Sequence, residues 1–372
     1  MQEQLQGESR GQHFLLSPQA RSFTLWDAAN LSEEECFWKI VDLRWGERSQ
    51  VVCPVCGAIG SPISKFKRCQ IRCRHCQSDF SPLVNSPFAD RKMDFKKLLM
   101  AVCLFTASAK GVPALFMSRL LDVTDKTATV LTGKLRECLV REKDTEVLHG
   151  VIEADGGYFC GKPRKGRIRL KSRPQDIAAA LEAKFKGDPV PKRKPRNKAE
   201  ARNWERRKLR RVVMVLRQMH PEKGQGASRT RVAVAYAENE RVAKHLFNEW
   251  VLPGSTVMTD ENAAYTVLST LYDHHCVEHS REFSTIDGVN ENQAECFFSR
   301  LRRAEYGTYH GFRPKYLLDY AQEFAWREDT RRTPEDEKIK DLFGRVFSCG
   351  MSKWWRGYFQ GHHRQDEYVL VP

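Results

Sequence analysis

The sequence contains no apolar run close to the about 20 residues that a membrane-spanning helix requires. Its amino terminus also lacks the basic and then apolar pattern of a secretory signal peptide. These absences argue against a membrane protein and against a secreted one, so we expect a protein that works in the cytoplasm without a membrane partner. Internal repeats are absent too, which excludes a repeat architecture.

Acidic residues are scarcer than basic ones. The chain has 62 Lys and Arg against 47 Asp and Glu, a net charge of +15, which suits a polyanionic partner such as double-stranded DNA. Positive charge is densest between residues 191 and 211, where we expect phosphate contacts, although a solvated charged loop has the same composition. The DNA-contacting residues predicted in this run are Lys192, Arg193, Lys194, Arg196, Arg206, Arg207, Lys208, Arg210 and Arg211.

A disulfide framework is not indicated, although the chain has twelve cysteines. Four of them form two CxxC pairs, Cys53 with Cys56 and Cys73 with Cys76, and the others are scattered. In a reducing compartment this pattern indicates one structural zinc site and ordinary buried thiols. Four thiolates satisfy tetrahedral zinc, and the intervening segment has the length of a zinc-ribbon loop. Cys69 is a competing ligand with poorer spacing.

At 372 residues, the chain is long enough for two to three domains. The predicted segments are an amino-terminal helical segment (1–50), a zinc ribbon (51–85), a helix-turn-helix-like DNA-binding region (90–142), a catalytic domain (147–330) with a basic insertion (162–210), and a carboxy-terminal tail (331–372). The tail carries Trp354, Trp355 and Tyr358. These aromatic residues either pack on the rest of the protein or contact DNA or a second copy of the chain.

Two predicted helices follow the ribbon. Apolar spacing indicates one helix over 112–121 and another over 125–140, joined by a tight turn at 122–124 in which Thr124 caps the second helix. A simple helical hairpin has the same pattern, but the position between a zinc module and a nuclease-like domain favours DNA binding. The outward-facing residues predicted to contact DNA are Lys126, Thr127, Lys134 and Arg136.

The periodicity then changes to that of β-strands. Strand candidates cover 147–154, 212–216, 231–236, 256–259 and 275–279, with helices at 240–250 and 263–271. Three strands, a helix, a strand and a helix is the order of an RNase H-like fold. We therefore expect an α/β domain built on a mixed sheet.

Three acidic residues stand where such a fold could bring them together. Asp155 and Asp260 each follow a strand-like run, and Glu295 lies on a predicted helix that also carries Arg302 on the same face. Converging carboxylates hold two magnesium or manganese ions that act on a phosphodiester, and the arginine would neutralise phosphate charge.

Each carboxylate has a plainer interpretation as a helix cap or a surface ion pair. Glu153 is a rival to Asp155, because residues two apart in a strand point to the same face. Glu261 and Glu291 are similar alternatives for their neighbours. His279 could position phosphate or metal, or could have a structural role only.

Taken in order, these pieces resemble the ISXO2-like DDE transposases of bacterial insertion sequences. The matching stretches are LRW (43–45), CPVCG (53–57), CRHC (73–76), DFS (79–81), KGVPAL (110–115), IEADGGYF (152–159), TDENAAY (259–265), EHS (278–280), NQAECFFSRLRR (292–303) and GTYHG (307–311). The resemblance spans roughly residues 30 to 330. It differs in Gly156, where the family usually has an acid, and in Arg302, where lysine is usual.

This resemblance implies that Asp155, Asp260 and Glu295 are the catalytic metal ligands. It further implies a transposase that binds the terminal inverted repeats of its own element, cleaves the DNA ends and transfers them to target DNA, as a dimer or larger assembly. The alternative is a non-catalytic, zinc-dependent DNA-binding regulator derived from such an enzyme. A structure-specific nuclease of the same fold, without strand transfer, is a third hypothesis.

Overall fold

A computed structural model describes residues 14–90, 92–161, 174–187, 195, 198–222, 225–277, 292–364 and 367–370. Within these ranges, no helix is both long and apolar enough to cross a membrane. The predicted residues Lys192, Arg193, Lys194, Arg196 and His279 lie outside the described residues.

The amino-terminal part of the chain consists of helices around a small antiparallel sheet. Its elements are α1 (Leu25–Asn30), α2 (Glu33–Trp45), β1 (Ile63–Lys65), β2 (Gln70–Arg72), β3 (Asp79–Phe80), α3 (Phe95–Ala107), α4 (Ala114–Leu121) and α5 (Asp125–Arg141). Ser32 and Glu35 form a reciprocal capping box at the start of α2. The Glu33 carboxylate accepts the backbone N–H groups of Phe95 and Lys96, so that α2 also caps α3.

Helices α4 and α5 form the pair expected from the sequence. Asp122 ends α4 in the left-handed region at φ 48°, and the Thr124 hydroxyl accepts the backbone N–H of Thr127 at the start of α5. Lys126 and Thr127 are exposed at this end of α5. The first turn of α5 is therefore open to an anionic partner.

The rest of the chain contains a larger sheet. Its elements are β4 (Val151–Phe159), α6 (Pro174–Lys186), α7 (Lys198–Lys208), β5 (Arg211–Met219), β6 (Ala227–Ala235), α8 (Glu240–Trp250), β7 (Thr256–Asp260), β8 (Asp273–Val277), α9 (Asn292–Arg303), α10 (Leu317–Asp329) and α11 (Glu335–Ser348). The helix expected at 263–271 is a 3-10 helix, Ala263–Thr270.

The five strands have the order β6-β5-β4-β7-β8. The first three pair antiparallel, and β7 and β8 are parallel to β4. The mixed sheet and the RNase H-like α/β fold predicted from the sequence are confirmed. The chain runs from β4 to β5 on one side of β4, and it later places β7 on the other side of β4. The strand order therefore reverses at β4. Ligand-binding sites commonly lie in the crevice at such a point.

Alternate residues of the central strands face two separate cores. Met214 and Leu216 of β5 contact the core on the α8 side, whereas Val213 and Val215 contact the core formed with α9 and α10. A strand buried on both faces reads as an unbroken apolar run, which is the pattern of β5. The sheet is thus covered by helices on both sides.

The carboxy-terminal segment packs on the amino-terminal helices. Ile339, Leu342 and Phe343 of α11 are buried in the same core as α2, α3 and α5. The Trp355 ring lies against Gly133 of α5, so close that a Cβ there would meet the ring at 2.2 Å. Packing therefore accounts for this part of the tail.

Arg136 does not face outward as the sequence predicted. It is buried where α5 packs on α10, and its Nε donates to Oε2 of Glu323 at 2.6 Å. Glu323 also accepts from Arg327 at 2.7 Å, and the Arg327 guanidinium donates to backbone carbonyls of α3 and of the segment that follows it. Arg136 is therefore part of a buried network of charged groups that joins the amino-terminal helices to α10.

We predict that Arg136→Ala lowers the free energy of unfolding by about 3 kcal/mol, because it leaves the buried Glu323 carboxylate with one guanidinium instead of two. Urea unfolding monitored by circular dichroism measures this loss. Lys126→Ala is the matched control, since it removes a charge from the exposed end of the same helix. Equal stabilities for the two variants would contradict the structural role of Arg136.

Candidate active site

Two predicted metal ligands lie just past the point where the pairing of β4 with β7 ends. Asp155 lies within β4, which continues to Phe159, and does not follow the strand as the sequence predicted; Asp260 is the last residue of β7. The parallel pairing of β4 with β7 runs from Val151 with Thr256 to Glu153 with Met258. Asp155 and Asp260 each lie two residues beyond the last pair. Their side chains therefore lie on the same face of the sheet and at the same height along the strands. A carboxylate oxygen of each lies within 4.8 Å of the other.

A third carboxylate in this cluster was not predicted. Glu238 lies between the end of β6 and the start of α8, and one of its oxygens is within 4.8 Å of ligand atoms of both Asp155 and Asp260. Its neighbour Asn239 caps α8, so the sequence AENE here reads as an ordinary helix start. Gly156 is the feature of the sequence that could have indicated this contact, because its missing side chain leaves room for the Glu238 carboxylate beside Asp155.

The surroundings of Glu238 alter its acidity. Burial raises the pKa of its carboxyl group to about 7, and the negative charges of Asp155 and Asp260 act in the same direction. The buried Tyr265 hydroxyl opposes this shift by donating to Oε1 of Glu238 at 2.7 Å. The ionisation of Glu238 therefore depends on the charges of Asp155 and Asp260.

Glu295 and Arg302 lie close to this cluster on α9. They line the same cleft as Asp155, of about 730 Å³, together with Phe298 and Ser299. Both side chains are exposed, and the Arg302 guanidinium lies 5.6 Å from the ring centre of Phe298. Glu295 is not one of the three carboxylates that lie within 4.8 Å of one another.

The sequence suggested Glu153 as an alternative to Asp155 as a metal ligand, but the structure places it elsewhere. It is fully buried, and its Oε2 accepts the backbone N–H groups of Gln293 and Ala294 at 2.7 and 3.3 Å, at the start of α9. Arg217 donates to the carbonyl of Gln293 at 2.6 Å. Burial raises the pKa of Glu153 to about 7, against the opposing effect of these N–H donors. Glu153 therefore caps the helix that carries Glu295.

The basic residues after the insertion are not equivalent. Arg207, Lys208 and Arg210 are exposed and Arg206 is half-buried, which keeps them accessible to a polyanion. Arg211 does not point outward as predicted. It is buried, and its guanidinium forms a bidentate pair with Glu367 at 2.6 and 2.9 Å.

Lys134 of the helix pair is only half-exposed, and burial lowers the pKa of its ammonium group. The ammonium nitrogen lies 5.6 Å from the ring centre of Phe88. Of the four residues predicted to contact DNA here, Lys126 and Thr127 are exposed, near the first turn of α5.

The four paired cysteines converge. Their sulfur atoms all lie within 4.8 Å of one another, with 3.6 Å between Cys53 and Cys76 and 3.8 Å between Cys56 and Cys73. Tetrahedral zinc with Zn–S bonds of about 2.3 Å places its sulfurs about 3.8 Å apart, so the donor set fits this metal. Cys69 is exposed and outside the cluster.

We predict that removal of zinc by a chelator, or Cys73→Ser, disorders residues 51–80 and leaves the large sheet folded, because the ribbon has three very short strands and little apolar core of its own. Hydrogen exchange followed by mass spectrometry measures protection in both regions. Cys69→Ser is the matched control, and it should retain zinc and protection. Full protection of the ribbon in the metal-free protein would contradict the prediction.

Two family models match this chain. The chain matches the ISXO2-like transposase domain over residues 147–329 and the transposase zinc-ribbon domain over residues 31–79. No curated protein matches the chain. A solved structure, "Crystal structure of a pre-cleavage Mos1 transpososome", has 12% identity over 64% of this chain and 75% of that chain, with a TM-score of 0.23. With its zinc ribbon ahead of its transposase domain, the chain belongs to the ISXO2-like transposases.

Proposed function

We propose that this transposase binds the ends of its own insertion sequence and catalyses metal-dependent cleavage and strand transfer of DNA. The observation that carries the proposal is the meeting of the Asp155 and Asp260 carboxylates on the adjacent parallel strands β4 and β7, inside the matched transposase domain. Glu295 lies on the helix that lines the cleft beside Asp155. The three carboxylates thus come from widely separated parts of the chain.

The donor chemistry at this position fits divalent cations. Hard carboxylate oxygens suit magnesium and manganese, and Asp155, Asp260 and Glu295 would hold them. When bound, such ions activate the attacking water or hydroxyl and stabilise the leaving oxygen of a phosphodiester. Zinc in the four-cysteine cluster has a structural role, since four protein ligands leave no open position.

The other residues of the cleft act on the DNA. Arg302 is exposed beside Asp155, where its guanidinium can pair with two oxygens of a phosphate. The phosphodiester approaching the carboxylates carries negative charge, and Arg302 offsets the resulting repulsion. Because Arg302 lies on α9 together with Glu295, one helix sets the position of both groups relative to the sheet.

Other surfaces hold the DNA ends. The zinc ribbon carries exposed Lys67 and Arg68, and Lys126 and Thr127 lie at the open end of α5, which suits contact with a duplex. The exposed Arg207, Lys208 and Arg210 provide further phosphate contacts, and target DNA enters the cleft lined by Asp155 and Glu295. Since two element ends must be joined in one reaction, we propose that the active form is a dimer or a larger assembly on DNA.

We predict that Asp155→Asn, Asp260→Asn and Glu295→Gln each reduce strand cleavage more than about 100-fold, because each loses a charged metal ligand while keeping its shape. The measurement uses DNA carrying the element's own ends with magnesium, and scores cleavage, joining and end binding separately. End binding should persist in all three variants.

Glu261, the alternative to Asp260 in the sequence, is exposed and is not part of the carboxylate cluster. Glu261→Gln is therefore the matched control, because it removes the same charge beside Asp260 without removing a member of the cluster. Absence of cleavage by the unmodified protein, with end binding intact, would favour the non-catalytic regulator. Cleavage without joining would favour a nuclease.

We predict that Glu153→Ala weakens the start of α9 by about 1 kcal/mol, since it removes the acceptor for two helix N–H groups. Hydrogen exchange at the first turn of α9 should rise, and cleavage should fall because Glu295 loses its fixed position. Glu153→Gln keeps an acceptor oxygen and should restore both properties. Wild-type cleavage in Glu153→Ala would show that Glu153 does not position the site.

A further inference from the structure

We propose that Glu238 is a fourth carboxylate of the active site, which binds a divalent cation together with Asp155 and Asp260 before DNA arrives. This inference rests on the proposed metal-dependent function. It adds a ligand from the connection between β6 and α8, outside the three acidic residues that the sequence indicated. Glu238 supplies one oxygen within 4.8 Å of ligand atoms of both aspartates, a relation that Glu295 does not have.

The backbone of β4 accommodates this carboxylate at Gly156. A Cβ built on Gly156 would lie 2.4 Å from Cδ of Glu238 and 2.5 and 2.6 Å from its oxygens. Gly156 pairs with Met214, whose side chain belongs to the core on the α8 side, so Glu238 reaches β4 from that face. Any larger residue at Gly156 would displace the carboxylate from Asp155.

The stretch TDENAAY supplies both a metal ligand and the group that orients Glu238. Asp260 begins the turn, and its Oδ1 accepts the backbone N–H of Asn262 at 3.1 Å. Tyr265 is fully buried on the following 3-10 helix, and its hydroxyl donates to Oε1 of Glu238 at 2.7 Å. This hydrogen bond and a second one with the Asn262 side chain fix the orientation of the Glu238 carboxylate beside the two aspartates.

The charges in this cluster favour a cation. Neither Glu238 nor Asp260 forms an ion pair with a lysine or arginine in the part of the chain that the structure describes. Carboxylates this close repel one another unless a proton or a cation lies between them. Oxygen ligands from three separate elements are a donor set that magnesium and manganese accept.

The test is a manganese titration of the DNA-free, zinc-loaded full-length protein, in which electron paramagnetic resonance measures the free ion. We expect Glu238→Gln to weaken manganese binding at least about tenfold, because it removes a ligand charge at nearly constant volume. Gly156→Ala should weaken binding comparably without changing any charge, since its methyl group occupies the space of the Glu238 carboxylate. Glu261→Gln should bind manganese like the unmodified protein.

Circular dichroism melting of each variant confirms that the protein remains folded, and Gly156→Ala provides the test if Glu238→Gln does not fold. Unchanged manganese affinity in folded Glu238→Gln, together with weak binding in Asp260→Asn, would remove Glu238 from an otherwise intact metal centre. Weakened binding in Glu238→Gln, with no cleavage of element ends by the unmodified protein, would support the inference and refute the proposed function. The two ideas therefore fail separately.

Discussion

The parallel pairing of β4 with β7 is the constraint on which the candidate site depends. Strand residues alternate between two faces, so the register of this pair decides which side chains stand together. With Glu153 opposite Met258, Asp155 and Asp260 come to the same level. A slip of one residue would turn one carboxylate toward the opposite face and would leave the other without its neighbour.

Elements on both faces of the sheet then complete the site. On one face, buried Glu153 and Arg217 hold the first turn of α9, which carries Glu295. On the other face, the connection before α8 brings Glu238 against β4. Two consecutive glycines permit this approach, because a Cβ on Gly157 would meet the Phe298 ring at 2.6 Å, just as one on Gly156 would meet Glu238. The small residues of β4 are therefore part of the architecture of the site.

The excess of positive charge has two different uses in this protein. Arg136 and Arg211 are buried and paired with Glu323 and Glu367, where they join distant segments of the chain. Lys126 remains at the surface, where a polyanion can reach it. A buried guanidinium is tolerated only when carboxylates and carbonyls satisfy its donors, so burial and pairing separate structural arginines from those available to DNA.

Local spacing along the chain was enough to predict several features of this protein. The paired cysteines indicated the zinc ribbon, the apolar periods indicated the helices and strands, and their order indicated the RNase H-like fold, because each is encoded within a few neighbouring residues. The proximity of Glu238 to Asp155 and the burial of Arg136 became apparent only from the folded chain. Both depend on contacts between segments far apart in the chain, and a side chain's partners across such distances leave no periodic mark in the sequence.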